Sequence, residues 1–264
     1  ANVTIGSGVT LDMDNAYYTD AGVNTIEGTL NVGTLYNAND SKTTVQNGGK
    51  IITTGMIVNR YHYNTDSGIY VYGDGEDSTV EVSCADTIGT YSGTFYAKDA
   101  VIEGNMLWID YKKNSTEEAD KYSQSTPTFE NSVVRITKEL RLYKDATLTL
   151  TDSAVTAGTV QVRENATPVV TMTNSTIKAA SVLNLAGASL DAVLGEDGTV
   201  TFQKPVAKIG DTKYYSLAEA LTASQPGDEI VLLAPVVIAA GETLTLLSAR
   251  IRFANANMIL NLAC

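Results

Sequence analysis

One histidine and two cysteines occur in 264 residues, so chemistry that depends on imidazole or thiol has few places to reside. The histidine, His62, stands in Arg60-Tyr61-His62-Tyr63, and a lone histidine is more often structural than a general acid or base. Basic residues are scarce beside acidic ones, 18 against 30, and the formal charge of −12 opposes nucleic acid and anionic membrane surfaces. Residues 1–100 hold four basic and twelve acidic side chains, which makes that part a poor direct binder of polyanions unless a divalent cation bridges the two. No run of eighteen apolar residues exists, so no segment reads as a membrane-spanning helix. Nor does a basic stretch followed by an apolar one open the chain; it starts on a strand-like Val3-Thr4-Ile5, and residue 1 reads as a processed or cut end. Asp74-Gly75-Glu76-Asp77-Ser78 offers oxygen ligands and a glycine but departs from the EF-hand frame, so it reads as a solvated turn; neither a metal nor a cofactor is expected.

What the chain does have is repetition. Phe129-Glu130-Asn131-Ser132-Val133-Val134, Leu150-Thr151-Asp152-Ser153-Ala154-Val155 and Met172-Thr173-Asn174-Ser175-Thr176-Ile177 share one frame and start 21 and 22 residues apart. Each is followed by an alternating apolar pair, Leu140/Leu142, Val160/Val162 and Leu183/Leu185. A weaker copy, Ala97-Lys98-Asp99-Ala100-Val101-Ile102 with Leu107/Ile109, lies 32 residues upstream, the surplus matching a polar run from Tyr111 to Pro127. A period near 22 with short alternating segments is the signature of a solenoid, whose coils bury their apolar faces only when stacked. Leucine-rich repeats have the length but need an L-x-x-L-x-L-x-x-N frame and a helical arc; Thr and β-branched residues in alternation fit a parallel β-helix instead. The fold expected is all-β, a right-handed parallel β-helix of roughly 21–22 residues per coil over 1–203. Leu150, Val155, Val160 and Val162 then point inward, as do Met172, Ile177, Leu183 and Leu185 one coil later. Asn131, Asp152 and Asn174 fall at a bend, where Asx side chains bond local backbone and stack as a ladder. The competing reading, ordinary turns in an antiparallel sandwich, gives no reason for repetition in register.

Hydrophobic content of 44% is enough to bury a core. Cys84 and Cys264 would stand about eight coils apart at ~4.8 Å each, beyond disulfide reach, and Cys84 alternates with Val82 as a small core residue does. Earlier coils are looser: Gly8, Gly28 and Gly48, 20 residues apart, precede alternating strands.

Residues 60–111 differ in character. Tyr61, Tyr63, Tyr70, Tyr72, Tyr91, Phe95, Tyr96, Trp108 and Tyr111 concentrate half of the tyrosines and the sole tryptophan. Tyr61/Tyr63 and Tyr70/Tyr72 are two apart, so each pair faces one side of a strand. Facing solvent, Tyr61, Tyr63, Tyr70, Tyr72, Trp108 and Tyr111 would form a ligand-binding platform that stacks on sugar rings; facing inward, they would be core. Lys112, Lys113, Glu117, Glu118, Asp120 and Lys121 read as a loop standing off the solenoid.

From Pro205 the pattern changes. Ser216-Leu217-Ala218-Glu219 is a capping box opening a short helix to about Ala223, Pro226-Gly227-Asp228 stops it, Glu229-Ile230-Val231-Leu232-Leu233 is a buried strand, and Gly241-Glu242-Thr243-Leu244-Thr245-Leu246 resumes the earlier alternation. The run Ala207-Lys-Ile-Gly-Asp-Thr-Lys-Tyr-Tyr-Ser-Leu-Ala-Glu-Ala-Leu followed by Pro226-Gly-Asp-Glu-Ile-Val-Leu-Leu resembles the starting unit of pectate-lyase-like right-handed β-helix domains in bacterial cell-surface, adhesin-like proteins. Residues 204–264 are therefore expected to be a helix-containing cap or the start of a further β-helix unit. The resemblance implies a secreted or cell-surface location and an adhesin-like module or stalk, with a glycan or a surface protein as partner.

The same superfamily includes polysaccharide lyases and glycoside hydrolases acting on acidic polysaccharide. Such lyases need an acid cluster beside an Arg or Lys base, and the hydrolases need paired carboxylates. This chain has no Asp-Asp, no Gly-His-Gly and no Arg-Ile-Lys, so no catalytic residues are assigned and a non-catalytic role is expected. A third class, ice binding, is raised by Thr147-Leu-Thr149-Leu-Thr151, Thr171-Met-Thr173, Thr199-Val-Thr201 and Thr243-Leu-Thr245.

Overall fold

The computed structural model describes residues 2–60, 67–74, 78–110, 125–238, 250–254 and 260–262. The chain divides into two units: Ala1–Ala188 with Ala192–Phe202, and Ser189–Asp191 with Gln203–Cys264. The first unit is a parallel β-solenoid. Among the described residues it builds one sheet of eight strands, from Val3–Ile5 to Val169–Thr173, and a second of nine, from Thr10–Asp20 to Thr176–Asn184. Neighbouring strands within a sheet are one repeat apart in sequence, so Val133–Leu142 pairs with Ala154–Val162, which pairs with Thr176–Asn184.

Alternation makes this work. Every second residue of a strand points to the same side, and in register the inward residues of successive coils meet. Leu11, Leu30, Ile51, Val82, Ile102, Val134, Val155 and Ile177 are successive partners in one column. From Leu30 to Ile177 none is more than 2% exposed. The expected adjacency of Val134, Val155 and Ile177 is therefore observed. In the first sheet Ala97, Phe129, Leu150 and Met172 stack the same way. Cys84 is a buried free thiol whose Sγ lies 3.2 Å from the Gly55 carbonyl, and burial pushes its pKa up.

One inward assignment fails. Leu183 is 44% exposed and pairs with the outward Gln161, while Val182 takes the interior place opposite Val160; Leu185 follows the strand and is half-buried. The cause is a β-bulge. Between Ile136 and Glu139 the 133–142 strand carries an extra residue relative to 154–162, so Val134 and Leu140 are six apart where Val155 and Val160 are five apart. The last coil follows the shorter count.

The bend is as expected in place and richer in bonding. Asp99, Asn131, Asp152 and Asn174 all adopt left-handed backbone, with φ of 52°, 42°, 49° and 47°. Asn and Asp accept that conformation better than other residues with a Cβ. Beside them runs a serine ladder. Ser132 Oγ accepts from Ala100 N–H at 3.2 Å and donates to the Glu130 carbonyl at 2.7 Å. Ser153 Oγ does the same with Ser132 N–H and the Thr151 carbonyl, and Ser175 Oγ with Ser153 N–H and the Thr173 carbonyl.

The early coils have a polar interior that the sequence did not announce. Asn37 and Asn59 are fully buried partners in register, joined by Asn37 Nδ2 donating to Asn59 Oδ1 at 2.9 Å. Thr43 Oγ1 donates to Asn37 Oδ1, and Asn24 Nδ2 donates to Thr19 and Thr43. Each amide is satisfied, as burial requires.

In the second unit, Thr212–Tyr214, Ala207–Ile209 and Glu229–Leu232 form an antiparallel set, Arg250–Phe253 adds in parallel to Glu229–Leu232, and Val236–Ile238 pairs in parallel with Leu260–Leu262. The helix runs over Leu217–Ala223, with Ser216 and Glu219 closing both halves of the capping box and Leu217 and Ala220 buried. Gly241–Leu246 lies outside the described residues, as does Cys264.

Val155→Asp tests the interior column. An uncompensated buried carboxylate costs about 3–5 kcal/mol, so the variant should lose the cooperative thermal transition followed by circular dichroism, whereas the exposed Thr156→Asp should keep it.

Candidate functional site

The outward positions of the strands are mostly Thr, Ser, Lys and Glu, and aromatic rings interrupt them in three places. Tyr61, Tyr63, Tyr111 and His62 lie outside the described residues. Tyr70 and Tyr72 sit on the outer face of the first sheet. Tyr70 lies over Gly68 of its own strand, where a Cβ would come within 2.7 Å of the ring. Tyr72 is 41% exposed, and its ring centroid is 5.7 Å from that of Tyr96. Tyr96 donates from its hydroxyl to Glu130 Oε2 at 2.8 Å.

Trp108 is on the second sheet, so the structure does not join it to Tyr70 and Tyr72 in one platform. Its neighbours are residues that sequence reasoning passed over. The Tyr143 ring stands edge-on at 6.1 Å, the Arg141 guanidinium lies 5.1 Å above the indole, and Arg163 lies 5.4 Å above the Tyr143 ring. Such cation–π stacking contributes about 0.5–1 kcal/mol at exposed sites. Arg141 is also ion-paired with Glu139, and Arg163 donates to Gln161 Oε1 at 3.0 Å.

A third pair, Tyr18 and Tyr36, is also on the second sheet, with centroids 6.0 Å apart. Tyr18 is 62% exposed and Tyr36 37%. Register connects this pair to Trp108, for Tyr18, Tyr36, Val58, Gly89, Trp108 and Arg141 are successive partners in a single outward column. At Gly89 the missing side chain is replaced from the same strand's end: a Cβ there would lie 2.4 Å from Tyr91 Cε2, so the Tyr91 ring occupies the glycine's place in the column. Only a strand-by-strand register reveals this, because the spacings between these residues are irregular in sequence.

Two further features belong to the surface. A groove of about 390 Å³ follows the Asx corner, lined by Asn131, Asp152, Asn174 and the ladder serines Ser132 and Ser153. The serine hydroxyls are already committed to backbone. On the first sheet Thr128, Thr149 and Thr171 are successive partners, as are Thr151 and Thr173. Among the described residues no three His, Cys, Asp or Glu side chains are grouped as metal ligands, and no helix is long and apolar enough to cross a membrane. No family model, curated protein or solved structure matches the chain.

Tyr96 provides a spectroscopic handle on the first-sheet cluster. Burial, reinforced by the hydrogen bond to Glu130 and that group's charge, pushes its pKa from 10.0 up to about 12. The folded value lies above the unfolded one, so the stability it reflects is complete below the ordinary phenol range and is lost as pH rises through about 12. An ultraviolet titration of phenolate should contain late components from Tyr96 and from Tyr215, both pushed up to about 12; Tyr96→Phe should remove one of the two, and Glu130→Gln should move that one to lower pH.

Proposed function

We propose that the chain is a non-catalytic secreted or cell-surface module, adhesin-like, in which a stack of β-coils carries outward aromatic rings that bind glycan. The observation that supports the reading most is the placement of Tyr72 with Tyr96, Tyr18 with Tyr36, and Trp108 with Tyr143 on the outer faces of a solenoid whose other outward positions are mostly Thr, Ser, Lys and Glu. Rings with one apolar face and a hydrogen-bonding rim are suited to stacking on sugars. Each contact is weak, so useful retention rests on several rings, or several copies, acting together. The resemblance of residues 207–233 to the starting unit of surface β-helix domains points the same way.

The enzyme reading, lyase or hydrolase, requires an acid cluster beside a base, or two carboxylates facing one cleft. The groove at the Asx corner has a single carboxylate in its lining, Asp152, with asparagines at the equivalent positions of the neighbouring coils. Ice binding is a second reading, favoured by one observation: Thr149 and Thr171 stand in register with Thr128, beside the paired Thr151 and Thr173.

A glycan array paired with assays for reducing ends and unsaturated uronates separates these readings. Glycan binding weakened by Trp108→Ala with no turnover is the expected result; calcium-dependent product release would establish the enzyme instead, and thermal hysteresis without glycan binding would establish ice binding.

A further inference from the structure

The three aromatic groups are not equivalent, and their differences point to one ligand geometry. On the second sheet the column Tyr18, Tyr36, Val58, Gly89 under Tyr91, and Trp108 places an apolar group at every coil over five consecutive strand positions. Neighbouring strands are about 4.8 Å apart, so this column is a stripe along the solenoid axis with one step per coil. Tyr18 and Tyr36 expose their rings, Val58 at the next position is buried, and Trp108 is half-buried at the far end. The first-sheet cluster lacks this extension. There Tyr70 and Tyr96 are followed in register by Thr128, Thr149 and Thr171 and preceded by Thr44 and Thr25.

Charge narrows the ligand. The outward column on one side of the stripe presents Ala16 opposite Thr34 and Thr87 opposite Met106, none of them charged. On the other side Asp20, Ala38 and Arg60 are successive partners, and Asp20 is engaged by Asn39 Nδ2. Residues 1–110 hold fourteen acidic and four basic side chains, a field that repels polyanions. Among the described residues no row of cations runs along the stripe: Arg60 stands alone in register with Ala38 on one flank, and Arg141 enters at the next coil, already paired with Glu139.

We infer that this stripe is an axial lane for a neutral, unbranched polysaccharide, whose successive sugar rings stack on Tyr18, Tyr36, Tyr91 and Trp108 as the chain runs parallel to the solenoid axis. The inference rests on the glycan-binding reading above and adds the face, the direction and the charge class of the ligand.

The full chain is titrated calorimetrically with cellohexaose, xylohexaose and mannohexaose and with the matching bioses, and its migration is followed in native gels containing polygalacturonate. At least one neutral hexaose binds, and binds more tightly than its biose, because a longer chain covers more rings. Tyr18→Ala and Tyr36→Ala, both at exposed positions, each weaken binding about three- to ten-fold, Val169→Ala, at an exposed position on the first sheet, leaves it unchanged, and polygalacturonate does not retard the protein. Loss of binding in Tyr72→Ala with Tyr18→Ala and Tyr36→Ala silent, equal affinity for biose and hexaose, or retention by polygalacturonate would overturn the lane while leaving a glycan-binding module in place. No binding to any of these sugars, together with a blank glycan array, would overturn both.

Discussion

A coil of about 21 residues cannot bury one side of itself, and everything else in the first unit depends on how that deficit is met. Parallel pairing in register meets it: each strand takes backbone partners from the coils before and after, and the same register lines up the inward side chains. The Leu30 to Ile177 column is the direct product. A one-residue slip would turn that column outward, so register must be fixed by more than apolar preference. The corner supplies this. Left-handed Asp99, Asn131, Asp152 and Asn174 turn the chain at the same point of each coil, and Ser132, Ser153 and Ser175 tie each turn to the next, each hydroxyl accepting from an N–H of the preceding coil and donating to a carbonyl of its own coil. The buried asparagines of the early coils add a second device, since Asn37 satisfies Asn59 and Thr43 only in one alignment.

The register that makes the interior also composes the surface. Outward residues far apart in sequence become neighbours, so Tyr18 and Tyr36 stand ring to ring, and Trp108 meets Arg141 and Tyr143. Two glycines, Gly68 and Gly89, let a ring from the same strand fold back over the backbone. Such close approach is possible only where no Cβ stands in the way. The aromatic content of the surface is thus organised by strand position, and the two sheets receive different patterns: a local cluster on the first, a stripe on the second.

Where sequence and structure agree, the cause is strict periodicity. Val134, Val155 and Ile177, the Asx bend, Cys84 in the core and the Ser216–Glu219 capping box were all legible because each follows from local pattern within one or two repeats. Leu183 was misassigned because a single bulge residue between Ile136 and Glu139 alters the count, and apolar character alone cannot reveal a bulge. The interior Asn37 and Asn59 looked like ordinary polar residues, since nothing local marks an asparagine whose partners lie a coil away. The grouping of Trp108 with Tyr70 and Tyr72 came from sequence proximity, whereas consecutive strands alternate between sheets. Tyr18, Tyr36 and Tyr143 were passed over for the converse reason: their partners are a coil distant, and the coils between them vary in length.

The central claim, that these coils stack in parallel at one definite register, can be tested by cross-linking. In a Cys84→Ser, Cys264→Ser background, Thr149→Cys with Thr171→Cys places thiols on directly paired residues of adjacent strands, within the ~4.4–6.8 Å Cα separation that a disulfide spans. Mild oxidation should close that pair quantitatively within one chain, and Thr149→Cys with Thr173→Cys, two residues out of register, should stay reduced. Closure of the second pair in preference to the first would contradict the register, and with it both the interior column and the aromatic stripe.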